Sequence, residues 1–509
     1  MKIPIFIKEI LQDLKAHGFE AYIVGGSVRD FLLHKSALGL NTVEDWDITT
    51  NAQPSEIQKI FPNSKYENKF GTVIVLADTE PGSEKYEDMV SPMEPVEITT
   101  YRTEQKYSDR RHPDKVIFTN KLSDDLKRRD FTINAMAMDI EPVKKKKSKL
   151  RIQRKYKTKI IDLFCGQEDL KNKIVRAVGD PNERFNEDAL RMIRAVRIAV
   201  VFNFEIERET KDSIQNNSLL IRHIAQERIR DELVKILQSK NAAYGLSLLY
   251  SLGLLQFIIP EFVKGAGVKQ NRHHIYNVFE HGLKSLQAAS ENGFSLAVRL
   301  SALLHDIAKP WVKQGEGYYS TFHNHDRVGA KLARKILWRL KFSRKIVEKV
   351  CLLVRNHMFL SDPEKVKEAG ARRLTQRAGK ENMRDLLNLR IADRLGSGCP
   401  KGRSFRLRAF EYLLDKVSRD PISVGMLKIN GNDIMKTLKI RPGPRIGLLL
   451  SALLAEILED PQKNKEAILK QRIKELNNEE DDVLRTKGEE VKTVKNEKEE
   501  EEKRKFGIH

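Results

Sequence analysis

Apolar residues change their spacing once along the chain, and the change divides it. Up to about residue 140 they come in short runs, "AYIVGG" (21–26), "GTVIVLA" (71–77), "PVEITTYR" (95–102) and "KVIFT" (115–119), separated by turn residues and short helical patterns. Such runs are strand signals, so this part predicts an α+β domain built on a mixed sheet. From about 168 the apolar residues recur at three and four spacing, as in "NEDALRMIRAVRIAVVF" (186–202), "RDELVKILQSKNAAYGLSLLYSLGLL" (230–255), "AVRLSALLHDIAK" (297–309) and "VGAKLARKILWRL" (328–340). Everything after the first domain is therefore expected to be helical. "KGAGVKQNR" (264–272) and "GSGCPKGR" (396–403) interrupt the helical pattern and read as boundaries. No repeat of fixed period is found.

Two stretches of the first domain carry chemistry. "YIVGGSVRDFLLHK" (22–35) is a strand, two glycines and a helix. Gly25 and Gly26 let backbone amides approach an anion, the helix start adds its dipole, and Arg29 offers a charged fork for phosphate. Fifteen residues on, "EDWDITTNA" (44–52) sets Asp45 and Asp47 one residue apart in a strand, with both carboxylates on one side. Unpaired they would repel, so a cation is expected between them. A phosphate cradle beside two such carboxylates points to a nucleoside triphosphate and Mg²⁺. Glu97, on a later strand, is a third candidate ligand and equally reads as an exposed strand glutamate.

Composition narrows the setting. The 509 residues suffice for three or more domains, with 92 basic against 71 acidic side chains and a net charge of +21. Lys8 and Glu9 come too early to leave a signal-peptide core, and the longest apolar stretch, "GLLLSALLAEIL" (447–458), is too short to span a bilayer. No membrane association and a cytoplasmic location are expected. Cys165, Cys351 and Cys399 lie far apart, which excludes a disulfide framework or a zinc knuckle. Residues 144–159 hold ten Lys/Arg and no acid, which suits a polyanionic partner, whereas the mixed-charge end from 476 reads as a disordered tail.

The ordered motifs "GGSVRD", "DWD", "KRRDFTINAMAMD" (127–139) and "DPNERFNEDALRMIRAVRIA" (180–199) resemble those of the class II tRNA nucleotidyltransferases. These are the CCA-adding enzymes, which share a nucleotidyltransferase head with bacterial poly(A) polymerases. The resemblance implies a head over 1–165, a helical neck reading the nucleotide base over 166–263, and a body over 264–395. A tRNA-contacting segment over 396–475 and the charged tail over 476–509 would follow. It further implies Asp45, Asp47 and Glu97 as the catalytic, magnesium-binding carboxylates, and Gly25, Gly26, Arg29, Asp30 and Asn134 as nucleotide-binding residues. In the same way Asp130 would accept a hydrogen bond from the ribose 2′-hydroxyl and Arg129 would bind the triphosphate. The substrates implied are CTP, ATP and the tRNA acceptor end, with the oligomeric state left open.

The pattern "EDALRMIRAVR" has its own physical content. Asp188 and Arg191, three apart, are expected on one helix face, continued by Arg194 and Arg197. Salt-bridging on a solvated face would explain such spacing equally. A carboxylate acceptor beside a guanidinium donor nevertheless fits the edges of cytosine and adenine, each with a donating amine next to an accepting ring nitrogen, while uracil and guanine present the opposite polarity. By resemblance Asp188 and Arg191 form a protein template, with Arg194 and Arg197 nearer the phosphates. The loop 101–118 resembles the family's flexible loop but interposes His112, and the basic segment at 142–160 is longer than the hairpin expected there. "KFGTVIV" (69–75) is similar to the CCA-adding form of this strand rather than to that of poly(A) polymerases.

The helical half contains "FEHGL", "LLHDIAK", "FHNHDRVGA", "VRNHM" and "IADRLG". A series of His, His-Asp, His and Asp on successive helices can converge on one or two divalent ions. It resembles the HD superfamily of metal-dependent phosphohydrolases. The resemblance implies His281, His305, Asp306 and Asp393 as ligands of a divalent metal, with His357 nearby and with His325, which fits the family position better than His323 by its distance from "VGA". Phosphatase or cyclic phosphodiesterase activity would follow, and the alternatives to CCA addition are a poly(A) polymerase, a CC- or A-adding enzyme, or a phosphohydrolase or RNA-binding regulator with an inactive head.

Overall fold

The computed structural model describes residues 3–35, 46–68, 70–78, 93–105, 115–142, 156–271, 275–362, 365–419, 427–459 and 461–486. Asp45, His112 and residues 144–155 of the basic segment lie outside them. The first domain is a seven-stranded sheet of β1 (Ala21–Val24), β2 (Asp47–Thr50), β3 (Ser64–Asn68), β4 (Thr72–Asp78), β5 (Met93–Thr100), β8 (Met136–Pro142) and β9 (Tyr156–Asp162), in the order β3-β4-β5-β2-β1-β8-β9. A small antiparallel pair, β6 (Arg102–Gln105) and β7 (Lys115–Phe118), stands beside it. Within this sheet, among the described residues, only β2 and β5 pair in parallel, in its middle, and their register sets Asp47 against Glu97. The other pairings are antiparallel, so this is the mixed sheet that the short apolar runs predicted.

Helices α1 (Ile5–Ala16), α2 (Gly26–Lys35), α3 (Pro54–Ile60), α4 (Leu122–Lys127) and α5 (Gly166–Asn172) accompany the sheet. The neck follows with α6 (Pro181–Glu187), α7 (Leu190–Phe202), α8 (Arg208–Asn217), α9 (Gln226–Gln238) and α10 (Ala242–Ser251), then the short α11 (Leu255–Ile258) and α12 (Pro260–Val263). α7 is buried almost all round, through Leu190, Met192, Ile193, Ala195, Val196, Ile198, Ala199 and Val200. Its less buried face carries the arginine stripe 191, 194, 197 and ends on the exposed Val201. The single helix expected through "EDALR" is in fact two: Asp188 has extended backbone (φ −143°, ψ 103°) between α6 and α7, and its carboxylate accepts the Leu190 N–H at 3.0 Å. An aspartate competes well with helix propagation by bonding a backbone N–H two residues on, which is why the break falls there.

The helical body comprises α13 (Val278–Glu291), α14 (Leu296–Leu304), α15 (Lys309–Val312), α16 (His325–Arg339), α17 (Arg344–Asn356), α18 (Glu368–Ala378), α19 (Met383–Gly396) and α20 (Phe405–Arg419). α13 starts on a capping box of Asn277 and Glu280 and packs along α19. The last helices, α21 (Gly431–Leu438), α22 (Pro444–Glu459) and α23 (Glu466–Leu476), share a core of their own. That core includes Leu484 on a further helical turn at 481–486, so packed structure continues past 476 because one buried leucine anchors it. Residues 487–509 lie outside the described ones. No helix among the described residues is long and apolar enough to cross a membrane.

Close approach of α13 and α19 depends on Gly396, where a Cβ would lie 2.2 Å from Ser285 Oγ and 2.7 Å from its backbone nitrogen. Gly396→Ala is therefore expected to push these helices apart and cost about 2 kcal/mol. A lowered denaturation midpoint would register it, and an unchanged one would contradict this packing.

Candidate active sites

In the head, the turn after β1 requires glycine. Gly25 has φ +81°, and a Cβ there would lie 2.9 Å from Arg129 Nη1 and 3.5 Å from Asp47 Oδ2. The turn is thus flanked by one guanidinium and one strand carboxylate. The Asp47 N–H donates to Ser27 Oγ at 3.2 Å, fixing the start of β2 against α2. Paired residues of parallel neighbours point to one face, so Glu97 stands beside Asp47 on the same side of the sheet. Two carboxylates placed so suit a hard divalent cation such as Mg²⁺.

Behind this turn a polar chain runs from the head into the neck. Arg29, 9% exposed, donates from Nε to Asp30 Oδ1 and from Nη1 to Asn134 Oδ1, both at 2.7 Å, with its guanidinium 4.4 Å from the Phe202 ring. Its fork therefore reaches the site through Asn134 rather than projecting into it. Asn134 Nδ2 donates to Asp130 Oδ1 at 3.0 Å, and the Phe131 N–H reaches the same oxygen at 2.8 Å. Asp130 Oδ2 accepts from Arg194 Nε at 2.8 Å and Nη2 at 2.6 Å. Arg194 and Arg197 in turn approach Glu232 of α9, Arg197 Nε at 2.7 Å from Oε2. Burial opposes ionisation of Asp130, but Arg194, then Asn134 and Arg191, outweigh it and hold the carboxyl well below its ordinary range.

A second cluster lies beside it. Asp125, fully buried, accepts from Arg128 at 2.6 and 3.0 Å, from Arg129 at 3.2 Å and from Thr49 Oγ1 at 3.2 Å. Burial opposes its charge, and Arg128 and Arg129 still depress its pKa. The Arg128 carbonyl accepts from Arg191 Nη2 at 3.0 Å, and Arg191 Nη1 donates to Glu187 Oε2 at 2.6 Å. Asp188 is clasped by Arg228 of α9, Nη1 to Oδ1 at 3.1 Å and Nη2 to Oδ2 at 2.7 Å. Asp125, Arg228 and Glu232 were not singled out from the sequence. Glu232 had a signal, since it occupies a buried position between Ile229 and Ile236 where the helical period asks for an apolar residue.

The histidines converge as their order on the helices suggested. His281 Nε2 lies 3.0 Å from His305 Nε2 and 3.2 Å from Asp393 Oδ1, and Asp306 Oδ2 is 3.5 and 3.4 Å from the two imidazoles. As the distance from "VGA" favoured, His325 rather than His323 joins the centre, together with His357. Their Nε2 atoms are 3.2 Å apart and 3.5 and 3.8 Å from Asp306 Oδ1. Asp306 thus bridges two groups, His281–His305–Asp306 and Asp306–His325–His357. His305, Asp306, His325, His357 and Asp393 line a cavity of about 750 Å³ with Lys309, Arg390, Arg394 and Cys399, and His281 lies buried behind them.

The imidazoles are oriented for a cation. His305, His325 and His357 each set Nδ1 2.7–2.9 Å from a carbonyl oxygen three residues back. A carbonyl only accepts, so Nδ1 carries the hydrogen and Nε2 of a neutral ring is a lone pair. Burial pushes His325 down and, with the charge of His305, pushes His357 down to about 3, so two lone pairs face each other across 3.2 Å. Ligands about 2.1 Å from one divalent ion sit about this far apart, and the carbonyl bonds behind them are the usual support for metal-bound histidine. His305 differs. Burial disfavours its charge, but Asp306 and Asp393 outweigh burial and push it up to about 10.

Comparison with known proteins follows the same division. Residues 21–176 match the family model of the poly A polymerase head domain, 203–264 that of the probable RNA and SrmB-binding site of polymerase A, and 273–396 that of the HD domain. A CCA-adding enzyme of Lactobacillus helveticus is 47% identical over 239 residues, 46% of this chain and 51% of that protein. An A-adding tRNA nucleotidyltransferase of Deinococcus radiodurans is 35% identical over 345 residues, 65% of this chain and 74% of that protein. The crystal structure of the Bacillus stearothermophilus CCA-adding enzyme in complex with CTP aligns with TM-score 0.58 and 27% identity, covering 94% of this chain and 98% of that one. The matches to CCA-adding relatives such as the first span about half of those proteins' length. Fold and sites together define a nucleotidyltransferase-type head on a helical body with an HD domain. The chain belongs to the tRNA nucleotidyltransferase family.

The Asp130–Arg194 pair joins head to neck, and its stability contribution has a pH sign. A carboxyl whose pKa is depressed on folding stabilises above its unfolded value and loses that contribution as pH falls through the folded one. Stability attributable to Asp130 is thus expected to fall below about pH 4. Arg194→Ala should cost about 2 kcal/mol, less than the roughly 3–5 kcal/mol for breaking a fully buried pair because Arg194 is about one third exposed. Urea midpoints between pH 2 and 7 check this, and a flat difference between wild type and variant across that range would contradict it.

Proposed function

We propose that the chain adds C, C and A to the tRNA 3′ end from CTP and ATP without a nucleic-acid template. The observation carrying this reading is the in-register Asp47–Glu97 pair beside a glycine turn that Arg129 closes. The 3′-hydroxyl oxygen would attack the α-phosphorus, the bond to the bridging oxygen would break, and pyrophosphate would leave. Asp45, Asp47 and Glu97 would hold magnesium, which when bound neutralises triphosphate charge and favours the hydroxyl's loss of its proton. Arg129, Arg194 and Arg197 would face the phosphates, while Arg29, Asp30 and Asn134 brace Asp130 from behind.

Asp130 has no unused acceptor site in this arrangement, since each oxygen already takes two donors. Ribose binding then requires an exchange: the 2′-hydroxyl replaces Arg194 on Asp130 while a phosphate receives Arg194, so neither charge is left unpaired. Asp188 and Arg191 would read the base edge.

Three tRNAs, ending before CCA, after C and after CC, each offered CTP, ATP or both, test the reaction. Stepwise addition that stops at CCA is expected, and Asp47→Ala should lower turnover by at least a thousandfold, the scale of lost charge stabilisation at a transferring phosphate. Long A tracts would indicate poly(A) polymerase. Addition of A alone would fit the A-adding relative, and undiminished turnover by Asp47→Ala would overturn the assignment.

A second reading concerns the histidine centre. The two ligand groups sharing Asp306 support a phosphohydrolase in which a divalent transition metal or magnesium, when bound, supplies an activated water. Hydrolysis of p-nitrophenyl phosphate with added Mn²⁺, Ni²⁺ or Mg²⁺ is expected, lost in Asp306→Ala with nucleotide addition retained. Equal hydrolysis by that variant would refute it.

A further inference from the structure

Asp188 is held quite unlike Asp130. Its Oδ1 accepts from the Leu190 N–H at 3.0 Å and from Arg228 Nη1 at 3.1 Å, and its Oδ2 accepts from Arg228 Nη2 at 2.7 Å. A carboxylate has about four acceptor sites, two on each oxygen. Three are occupied by donors that belong to the fold, and among the described residues no donor takes the fourth, on Oδ2. The side chains of Asp188 and Arg228 keep only 16% and 24% of their surface exposed.

We propose that Arg228 of α9 is a positioning residue that sets base selectivity by leaving Asp188 a single acceptor of fixed direction. The inference rests on the reading of Asp188 as the group that meets the base. One fixed acceptor matches the one exocyclic amine of cytosine or adenine. The same position in uracil or guanine holds a carbonyl oxygen, so lone pair would meet lone pair. A carboxylate free to turn relieves that conflict by rotating or by admitting a water that donates to both oxygens. The planar guanidinium, bonded to both oxygens at once, prevents the rotation, which a lysine ammonium acting as a point charge does not. Rejection of the wrong base therefore depends on a residue that the nucleotide never touches, forty positions along the chain and on another helix.

Full-length Arg228→Met and Arg228→Lys test this. The kcat/KM ratio of CTP to UTP is measured on tRNA ending before CCA, and that of ATP to GTP on tRNA ending in CC, with thermal unfolding run alongside. Both ratios are expected to fall about tenfold in each variant, the worth of one oriented hydrogen bond. The fall should come mainly from faster use of UTP and GTP, whereas a purely structural defect slows all four nucleotides alike. Unchanged ratios in both variants, or full selectivity in Arg228→Lys, would overturn the proposal. If Arg228→Met does not fold, the lysine variant decides alone. Asp188→Asn separates the two levels: selectivity unchanged there overturns the base-reading role itself, whereas selectivity lost there and kept in the Arg228 variants overturns only the role of Arg228.

Discussion

The ion pair between Asp130 and Arg194 is the constraint on which the rest of the head and neck depends. It joins a residue between α4 and β8 of the head to the middle of α7, a helix otherwise buried by apolar side chains. A buried carboxylate is tolerable only with its bonding sites filled, and Phe131, Asn134 and Arg194 fill those of Asp130, while Glu232 stands 4.0 Å from Arg194. Arg29 and Asp30 extend the chain back to the glycine turn. A network of this kind rigidifies, and it fixes Arg194 of α7 against the head.

The same principle divides the neighbouring groups by task. Asp125 is saturated by Arg128, Arg129 and Thr49 and holds those arginines in place. Asp188 takes only three donors among the described residues. Saturation marks Asp125 as a brace, a distinction that charge or burial alone does not make.

The histidine centre is organised the other way round. Its imidazoles are fixed from behind by carbonyl oxygens, and their lone pairs are turned towards one another and towards Asp306. Such an arrangement is unfavourable without a positive charge at its middle. Protonation of His305 supplies one, while His325 and His357 stay neutral. Lys309, 2.6 Å from Asp306 Oδ2, adds a further cation. Both centres thus place carboxylates where cations neutralise them, the head through arginines and the body through imidazoles and a lysine.

Much of this was legible in the chain. Period two before residue 140 and three-and-four spacing after 168 report backbone geometry directly, so the mixed sheet and the helical remainder follow from local pattern. Gly25 beside Asp47, the arginines of α7 and the His-Asp series likewise stand out because their residue types are unusual at those spacings. Three things were decided only by the tertiary structure. The helix break at Asp188 depends on a side-chain bond that competes with the helix, and periodicity does not register it. That His325 and His357 share Asp306 as a second ligand group depends on where α16 and α17 pack. The partners of Asp188 and Asp130, Arg228 and Arg194, lie 40 and 64 residues away. Local pattern reports what a residue does to its own helix or strand, whereas which acceptor sites remain open is settled by groups that only folding brings within 3 Å.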